Sequence, residues 1–396
     1  MVSEAFVVTA EKLLYGGDAL ARRDDGKAVF IPYAVPGDRL LVRPRAEKKN
    51  YIHAEILEIL TPGEGRVAPL CPHFGKCGGC DWQQIEYPRQ VEAKRRILEE
   101  IFYHRFPETR RLTITMRPCS RPFGYRSRAR VRRRVGRKVT VGFFRGGSHF
   151  VEDIENCPLF RPCLNDALRA LRQTRITALN ENIQEIDIAG SEEDRKWVIA
   201  KGGDKEELLQ RKVGDFTYNV TAGTFFQAND FMIDELVSHV MDCVPRTGSG
   251  AALDLFSGAG LFSLPLARRF SGVAAVEYSR ESRRLCEMNA AAAGIENLET
   301  VRADAAEWLN SQTASQFECV VLDPPRAGVG HGVMERVGRL ASKTIIYVSC
   351  DPQTLARDIE WLDMDLWRIV SIAGFDMFPQ TYHFETVAHL RNITAG

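Results

Sequence analysis

Cys350 stands in SCDPQTLARD, directly after the apolar run TIIYVS and two residues before a proline that can open a helix. A thiol at a strand tip beside a helix N-terminus is expected to have a lowered pKa, because the amides there favour the thiolate. Farther on, GFDMFPQTYHFETVAHL places His383 and Glu385 at alternating spacing, which puts both on one face of a late strand. VVLDPPRAGV sets Asp323 at another strand tip and stiffens the turn after it with two prolines. A second group, Cys71, Cys77 and Cys80 at C-x5-C-x2-C with Cys157 well downstream, offers four thiolates. Such a set holds either a zinc ion or a [4Fe–4S] cluster. Zinc sites usually pair two C-x2-C knuckles and one is present here, while the C-x3-C-x2-C run of radical enzymes is absent. Cys119, Cys163, Cys243, Cys286 and Cys319 read as buried small apolar residues.

These residues need a scaffold. From about Phe216 to Gly396, the runs AALDLF, VAAVE, LETVR, FECVVLD and TIIYVS read as buried strands, with helical segments such as SRESRRLCEMNAAAAG between them. The alternation predicts an α/β domain with a doubly wound parallel sheet, whose ligands sit at the carboxyl ends of the strands. LDLFSGAGLFSLPLA supplies a strand, a small-residue turn and a helix, and Gly258 and Gly260 let the backbone approach a ligand. Glu277 ends the next strand, where a carboxylate accepts hydrogen bonds from ribose hydroxyls. The turn reads GAGLFS rather than G-x-G-x-x-G, so a nucleoside cofactor without a pyrophosphate fits better, and S-adenosylmethionine is the common one. An acid followed by Pro-Pro resembles the catalytic loop of methyltransferases that act on bases or side-chain nitrogens. Those that methylate exocyclic nitrogens commonly carry an aromatic residue next, where this chain has Arg326.

Between Val7 and Leu60, turn signals at Gly16-Gly17, Asp25-Gly26 and Pro36-Gly37 separate short alternating runs, which predicts a small OB-like β-barrel of about five strands. Such barrels either bind single-stranded nucleic acid or pack on their neighbours. A Pro/Gly-rich link, TPGEGRVAP, leads into a central α+β segment, giving expected units at 1–62, 63–215 and 216–396. Within the central unit, YRSRARVRRRV alternates so that Arg126, Arg128, Arg130 and Arg132 share a strand face. From Arg121 to Arg145 there are ten basic residues, Arg137 among them, and no acid. A uniformly positive face that contacts RNA phosphates is expected. The excess is local, since Lys+Arg 53 and Asp+Glu 52 nearly cancel over the 396 residues. No apolar run approaches a membrane span, and MVSEAFVVTAEKLL does not read as a signal peptide, so a cytoplasmic protein is expected. Ten cysteines there point to metal or catalysis rather than disulfides.

FFQAN with Gln227, DLFSGAG, VEYS with Glu277, RADA with Asp304, LDPPRAG, SCDPQTLARD and FPQTYHFETVAHL fall in order along the C-terminal half. Together they resemble the RNA 5-methyluridine methyltransferase family. The N-terminal barrel resembles a TRAM domain, and CPHFGKCGGCDWQ resembles the iron–sulfur motif of the cluster-bearing branch, so the likeness spans nearly the whole chain. It implies a Rossmann-like methyltransferase domain, S-adenosylmethionine, and a [4Fe–4S] cluster on Cys71, Cys77, Cys80 and Cys157. Cys350 would add to C6 of a flipped uracil and Glu385 would take the C5 proton. Gln227, Phe256, Glu277, Asp304 and Asp323 would hold the cofactor or the base. The chain departs from the family at Leu261, where an asparagine is common, and at Ser257, where a cysteine is. The implied substrate is 23S rRNA, with uridine 54 of tRNA as the alternative, and the implied form is a monomer. Two other readings compete: a base-nitrogen methyltransferase, which needs no cysteine nucleophile, and a silent RNA-binding protein, which loss of Cys350 or Glu385 would mark. Both residues are present.

Overall fold

The computed structural model describes residues 4–136, 138–173, 184–191, 196–200, 207–245, 250–312 and 317–394. Arg137 of the basic run lies outside them.

Strands β1 (Phe6–Leu13), β2 (Ala19–Arg22), β3 (Ala28–Ile31), β4 (Arg39–Glu47) and β5 (Tyr51–Thr61) form a closed barrel in the order β1-β2-β3-β5-β4. Their alternation turns Val8, Ala10, Ala19, Ala21, Val29, Ile31, Leu40, Val42, Ile52 and Ala54 inward, all nearly inaccessible, and closure leaves no free strand edge. The chain's exit from the barrel is fixed by Asp38. Its fully buried carboxylate accepts the amides of Val35 at 2.6 Å and Gly63 at 2.7 Å, and the Arg66 guanidinium at 2.9 Å.

The central unit begins with α1 (Tyr87–Arg105) and a short strand β6 (Thr115–Arg117). Strands β7 (Arg128–Val135), β8 (Val139–Phe144), β9 (Val151–Asp153), β10 (Gln184–Ser191) and β11 (Lys196–Ala200) then make an antiparallel sheet in the order β11-β10-β7-β8-β9. Helix α2 (Pro162–Gln173) covers it, burying Leu164, Leu168 and Leu171 against Val131, Val141 and Ile188. A hairpin of β12 (Leu209–Val213) and β13 (Phe216–Val220) follows.

The remaining elements are α3 (Ile233–Cys243), β14 (Ala251–Leu255), α4 (Ser263–Ala267), β15 (Gly272–Glu277), α5 (Arg280–Ala292), β16 (Leu298–Arg302), α6 (Ala305–Ser311), β17 (Phe317–Leu322), α7 (His331–Leu340), β18 (Ala341–Ser349), α8 (Pro352–Ile359), β19 (Trp367–Phe375) and β20 (Glu385–Asn392). Every strand expected from the apolar runs is present. They belong to an eight-stranded sheet ordered β16-β15-β14-β17-β18-β20-β19-β6. The expectation of a parallel sheet holds for β14 to β18 and fails beyond them: β20 runs antiparallel to both β18 and β19. β19 and β20 are joined by a loop instead of a crossover helix, which permits antiparallel pairing. β6 adds at the edge, parallel to β19, so the central unit lends a strand to the C-terminal sheet. No helix among the described residues is long and apolar enough to cross a membrane.

Candidate active site

Because β14, β15, β17 and β18 are parallel, their carboxyl ends open on one side of the sheet and bring four sequence-distant turns together. After β14, Phe256 has φ +62° and Gly258 and Gly260 have φ +55° and +90°, so the chain doubles back sharply. A Cβ on Gly260 would come within 2.7 Å of Leu264 and 2.8 Å of the Cys286 sulfur, whereas one on Gly258 would meet nothing within 4 Å. Gly260 thus lets the helix pack, and Gly258 leaves an open cradle. Glu277, at the end of β15, accepts the Gly258 amide at 3.0 Å and the Ser279 amide at 2.7 Å, which leaves each oxygen a lone pair for a ligand hydroxyl. Asp254 Oδ1 and Ser257 Oγ, at this turn, and Gln227 Nε2, in the loop before α3, are buried polar atoms with no hydrogen-bond partner among the described residues. That set of unmet donors and acceptors fits a polar nucleoside cofactor. Asp304 caps α6, its Oδ1 accepting the amides of Ala306 at 2.9 Å and Glu307 at 3.2 Å.

Cys350 follows β18, Glu385 opens β20, and β18 and β20 are paired neighbours. Asp323, one strand over at the tip of β17, completes a group that interacts electrostatically. Burial pushes Asp254 up to about 7, and burial also raises Asp323. Glu385 is raised well above the usual carboxylate range, first by burial and then by Asp323. The expected depression of the Cys350 pKa is not found. Burial, then the charges of Glu385 and Asp323, push it up to about 12, with Arg326 opposing. The reason is local: Asp351 accepts the Gln353 amide at 3.0 Å and the Thr354 amide at 3.1 Å, so the donors at the start of α8 serve a carboxylate rather than the thiol. His383 lies in the loop before β20 rather than on the strand, and burial and then Arg326 lower it to about 4.

Several residues that shape this site carried no signal in the sequence. Arg326 reaches Asp351 at 3.4 Å and the Tyr382 hydroxyl at 3.3 Å, and Tyr15 of the barrel donates to the Cys350 carbonyl at 3.3 Å. Only the departure from an aromatic at Arg326 hinted at a role.

The arginine strand departs from expectation. Arg128, Arg130 and Arg132 do alternate onto one face of β7, but only Arg130 of the three is exposed, and β10 pairs with that strand in a register that supplies acids. Arg130 meets Asp187 at 2.8 Å and Arg132 meets Glu185 at 2.7 Å. The face is therefore neither uniformly positive nor free of acid, because compensation comes from a strand more than fifty residues away. Arg126 precedes β7 and donates to the Arg128 carbonyl at 3.0 Å. Arg128 turns inward and donates to the carbonyls of Phe226 at 3.1 Å and Ala222 at 3.0 Å, bracing the loop that carries Gln227.

Cys71, Cys77, Cys80 and Cys157 line one cavity with Phe143 and Phe160. Burial raises the Cys77 thiol to about 11 and raises Cys80 and Cys157 as well. Gln83 donates to the Cys80 sulfur at 3.2 Å and accepts the Cys71 amide at 3.0 Å. The cavity is not a finished metal cage: among the described residues no group of three or more His, Cys, Asp or Glu is arranged to hold a metal ion.

A glycine cradle after the first parallel strand, a carboxylate ending the second and an Asp-Pro-Pro turn after the fourth define a Rossmann-like methyltransferase. The family described as tRNA (Uracil-5-)-methyltransferase matches residues 158–393. An uncharacterized RNA methyltransferase of Thermosynechococcus vestitus is 30% identical, the match covering 96% of each chain. The 23S rRNA (uracil(1939)-C(5))-methyltransferase RlmD of Alkalilimnicola ehrlichii is 31% identical over 97% of this chain and 96% of its own. The solved structure of the Pyrococcus abyssi tRNA (uracil-54, C5)-methyltransferase with S-adenosyl-L-homocysteine superposes with a TM-score of 0.76 at 23% identity, covering 97% of this chain and 99% of that one. This chain belongs to the RNA uracil-C5 methyltransferase family, and it is an S-adenosylmethionine-dependent enzyme of that activity.

Proposed function

We propose that the enzyme acts through a covalent bond between Cys350 and C6 of the target uracil, with Glu385 as the base. The observation that carries this reading is the pairing of β18 with β20, which sets a thiol and a buried carboxyl at adjacent strand ends. The C5 position of uracil is a poor nucleophile. Addition of the Cys350 thiolate to C6 moves the C5=C6 electrons toward O4 and makes C5 nucleophilic. Bound S-adenosylmethionine supplies the electrophilic methyl group, and Glu277, Asp323 and the Gly258 turn are the residues suited to hold it. Phe256 shapes that turn. Glu385 then takes the C5 proton, the C–H electrons rebuild C5=C6, and Cys350 leaves as a thiolate. Burial and Asp323, which raise this carboxyl above its usual range, make its ionised form a stronger proton acceptor. The buried, unpartnered Nε2 of Gln227 supports a role for it in holding the cofactor or the flipped base.

The matching family is described by transfer RNA, so a tRNA uridine is the first substrate to test. Relatives named for 23S rRNA support the ribosomal expectation as a second reading. The four cysteines that share a cavity support a [4Fe–4S] cluster, and ten free thiols suit a reducing cytoplasm. The exposed Arg130 remains a candidate for phosphate contact.

Methylation of tRNA and rRNA transcripts by the purified enzyme, with Cys350→Ala and Glu385→Gln beside the wild type, tests the mechanism. Cys350→Ala is expected to bind cofactor and transfer no methyl group. Glu385→Gln is expected to accumulate a protein–RNA adduct that survives denaturing gels. Turnover by Cys350→Ala would overturn the covalent route.

A further inference from the structure

The base is reached through a loop, residues 376–384, that links β19 to β20 and ends at Glu385. Glu385 Oε2 has no hydrogen-bond partner among the described residues, so the carboxyl is aimed by its backbone rather than by a side-chain clamp. What holds that backbone comes from other units. Lys94, on α1 and fully buried, donates to Asp376 Oδ1 at 2.6 Å, to the Phe378 carbonyl at 3.1 Å and to the His383 carbonyl at 2.9 Å. Its three protons are spent on the two ends of one loop, which they draw together around the ammonium.

One helical turn earlier, Gln90 exchanges two 3.0 Å hydrogen bonds with Gln380, whose φ of +70° no unconstrained side-chain-bearing residue favours. Tyr125 donates to the Pro379 carbonyl at 3.1 Å and Asn229 to the Met377 carbonyl at 3.0 Å. A loop so heavily tied, at such a cost in buried polar groups, is over-determined for mere connection.

We propose that Lys94 is a positioning residue for the general base: with Asp376, it sets the conformation of the 376–384 loop that delivers the Glu385 carboxyl to the C5 proton. The proposal rests on the covalent mechanism above. Its consequence is specific to one step. Cofactor binding, attack by Cys350 and methyl transfer precede proton removal, so an untethered loop should slow release of the enzyme from methylated RNA.

The test uses the full chain with the double variant Lys94→Met/Asp376→Asn, which removes both charges of the buried pair together. Lys94→Arg is run beside it, because it keeps the charge but cannot place one compact donor among three acceptors, and it serves if the double variant does not fold. The expected result is retained cofactor binding, KM for RNA within about threefold, kcat lower by roughly thirtyfold, and a methylated protein–RNA adduct accumulating on denaturing gels. Glu385→Gln is the control. If it traps an adduct and the Lys94 variants do not, or if they turn over within about threefold of wild type, the positioning role is overturned while the mechanism stands. If Glu385→Gln itself traps nothing, the mechanism fails first.

Discussion

The hydroxyl of Tyr15 donates to the backbone carbonyl of Cys350 at 3.3 Å, across 335 residues of sequence. Tyr15 also meets Tyr382 and Phe384 edge-on, at 5.4 and 6.1 Å between ring centres. The barrel therefore forms part of the wall of the candidate site, touching both the Cys350 turn and the loop that precedes Glu385.

Tyr15→Phe keeps the ring contacts and removes the one hydrogen bond. A net loss of about 1 kcal/mol in holding the Cys350 turn corresponds to roughly a fivefold drop in kcat. Steady-state kinetics with thermal unfolding alongside check this. An unchanged kcat would mean that the barrel's contact does not bear on the nucleophile.

The Cys350 thiol, pushed up to about 12, holds its proton at neutral pH. Its thiolate fraction, and so its rate of alkylation by iodoacetamide, is expected to rise about tenfold per pH unit between pH 7 and 9 without a plateau. Peptide mass spectrometry of the labelled protein reads the rate at this one cysteine. A plateau below pH 8 would show a thiol poised as an activated nucleophile before substrate binds.

The loop after Cys80 touches the catalytic half, since the amides of Asp81 and Trp82 donate to the Gln380 carbonyl at 3.1 and 3.0 Å. Anaerobic purification is expected to yield a brown protein with about four irons per chain, and Cys80→Ser is expected to lose the colour, melt lower and turn over more slowly. Iron analysis and calorimetry measure these. Stoichiometric zinc, or activity that follows reversible oxidation, would refute a structural cluster.

Burial raises the Asp38 carboxyl, but the Arg66 guanidinium and the amides of Gly63 and Val35 more than reverse this and hold it below the usual range. A depressed carboxylate contributes stability that is complete above the unfolded value near 4 and is lost as pH falls through the folded one. Asp38→Asn leaves Arg66 without its buried anion and is expected to cost roughly 3 kcal/mol at pH 7. Urea unfolding should show that cost shrinking below pH 4. An equal cost at pH 3 and pH 7 would assign it to packing.

Local patterns in the sequence determined the elements and nominated the residues that could do the chemistry. Alternation marked the barrel, unbroken apolar runs marked five parallel strands, and Cys350, Glu385, Asp323 and Glu277 stood at strand ends because strand ends are where sheets of this kind present reactive groups. Those signals lie within a few residues of one another, so they survive in one dimension. Tertiary structure decided what depends on partners from afar. Arg130 and Arg132 read as unpaired until β10 brought Asp187 and Glu185 alongside. Lys94 stands in a helix crowded with Arg and Glu and carries no sequence signal, yet it is fully buried and paired with Asp376. Cys350 lost its expected low pKa because burial and then two facing carboxyls disfavour its thiolate, while Asp351 had taken the helix amides. Residue type sets what a group can do; the field and hydrogen bonds that tune it are sums over neighbours that only the folded chain assembles.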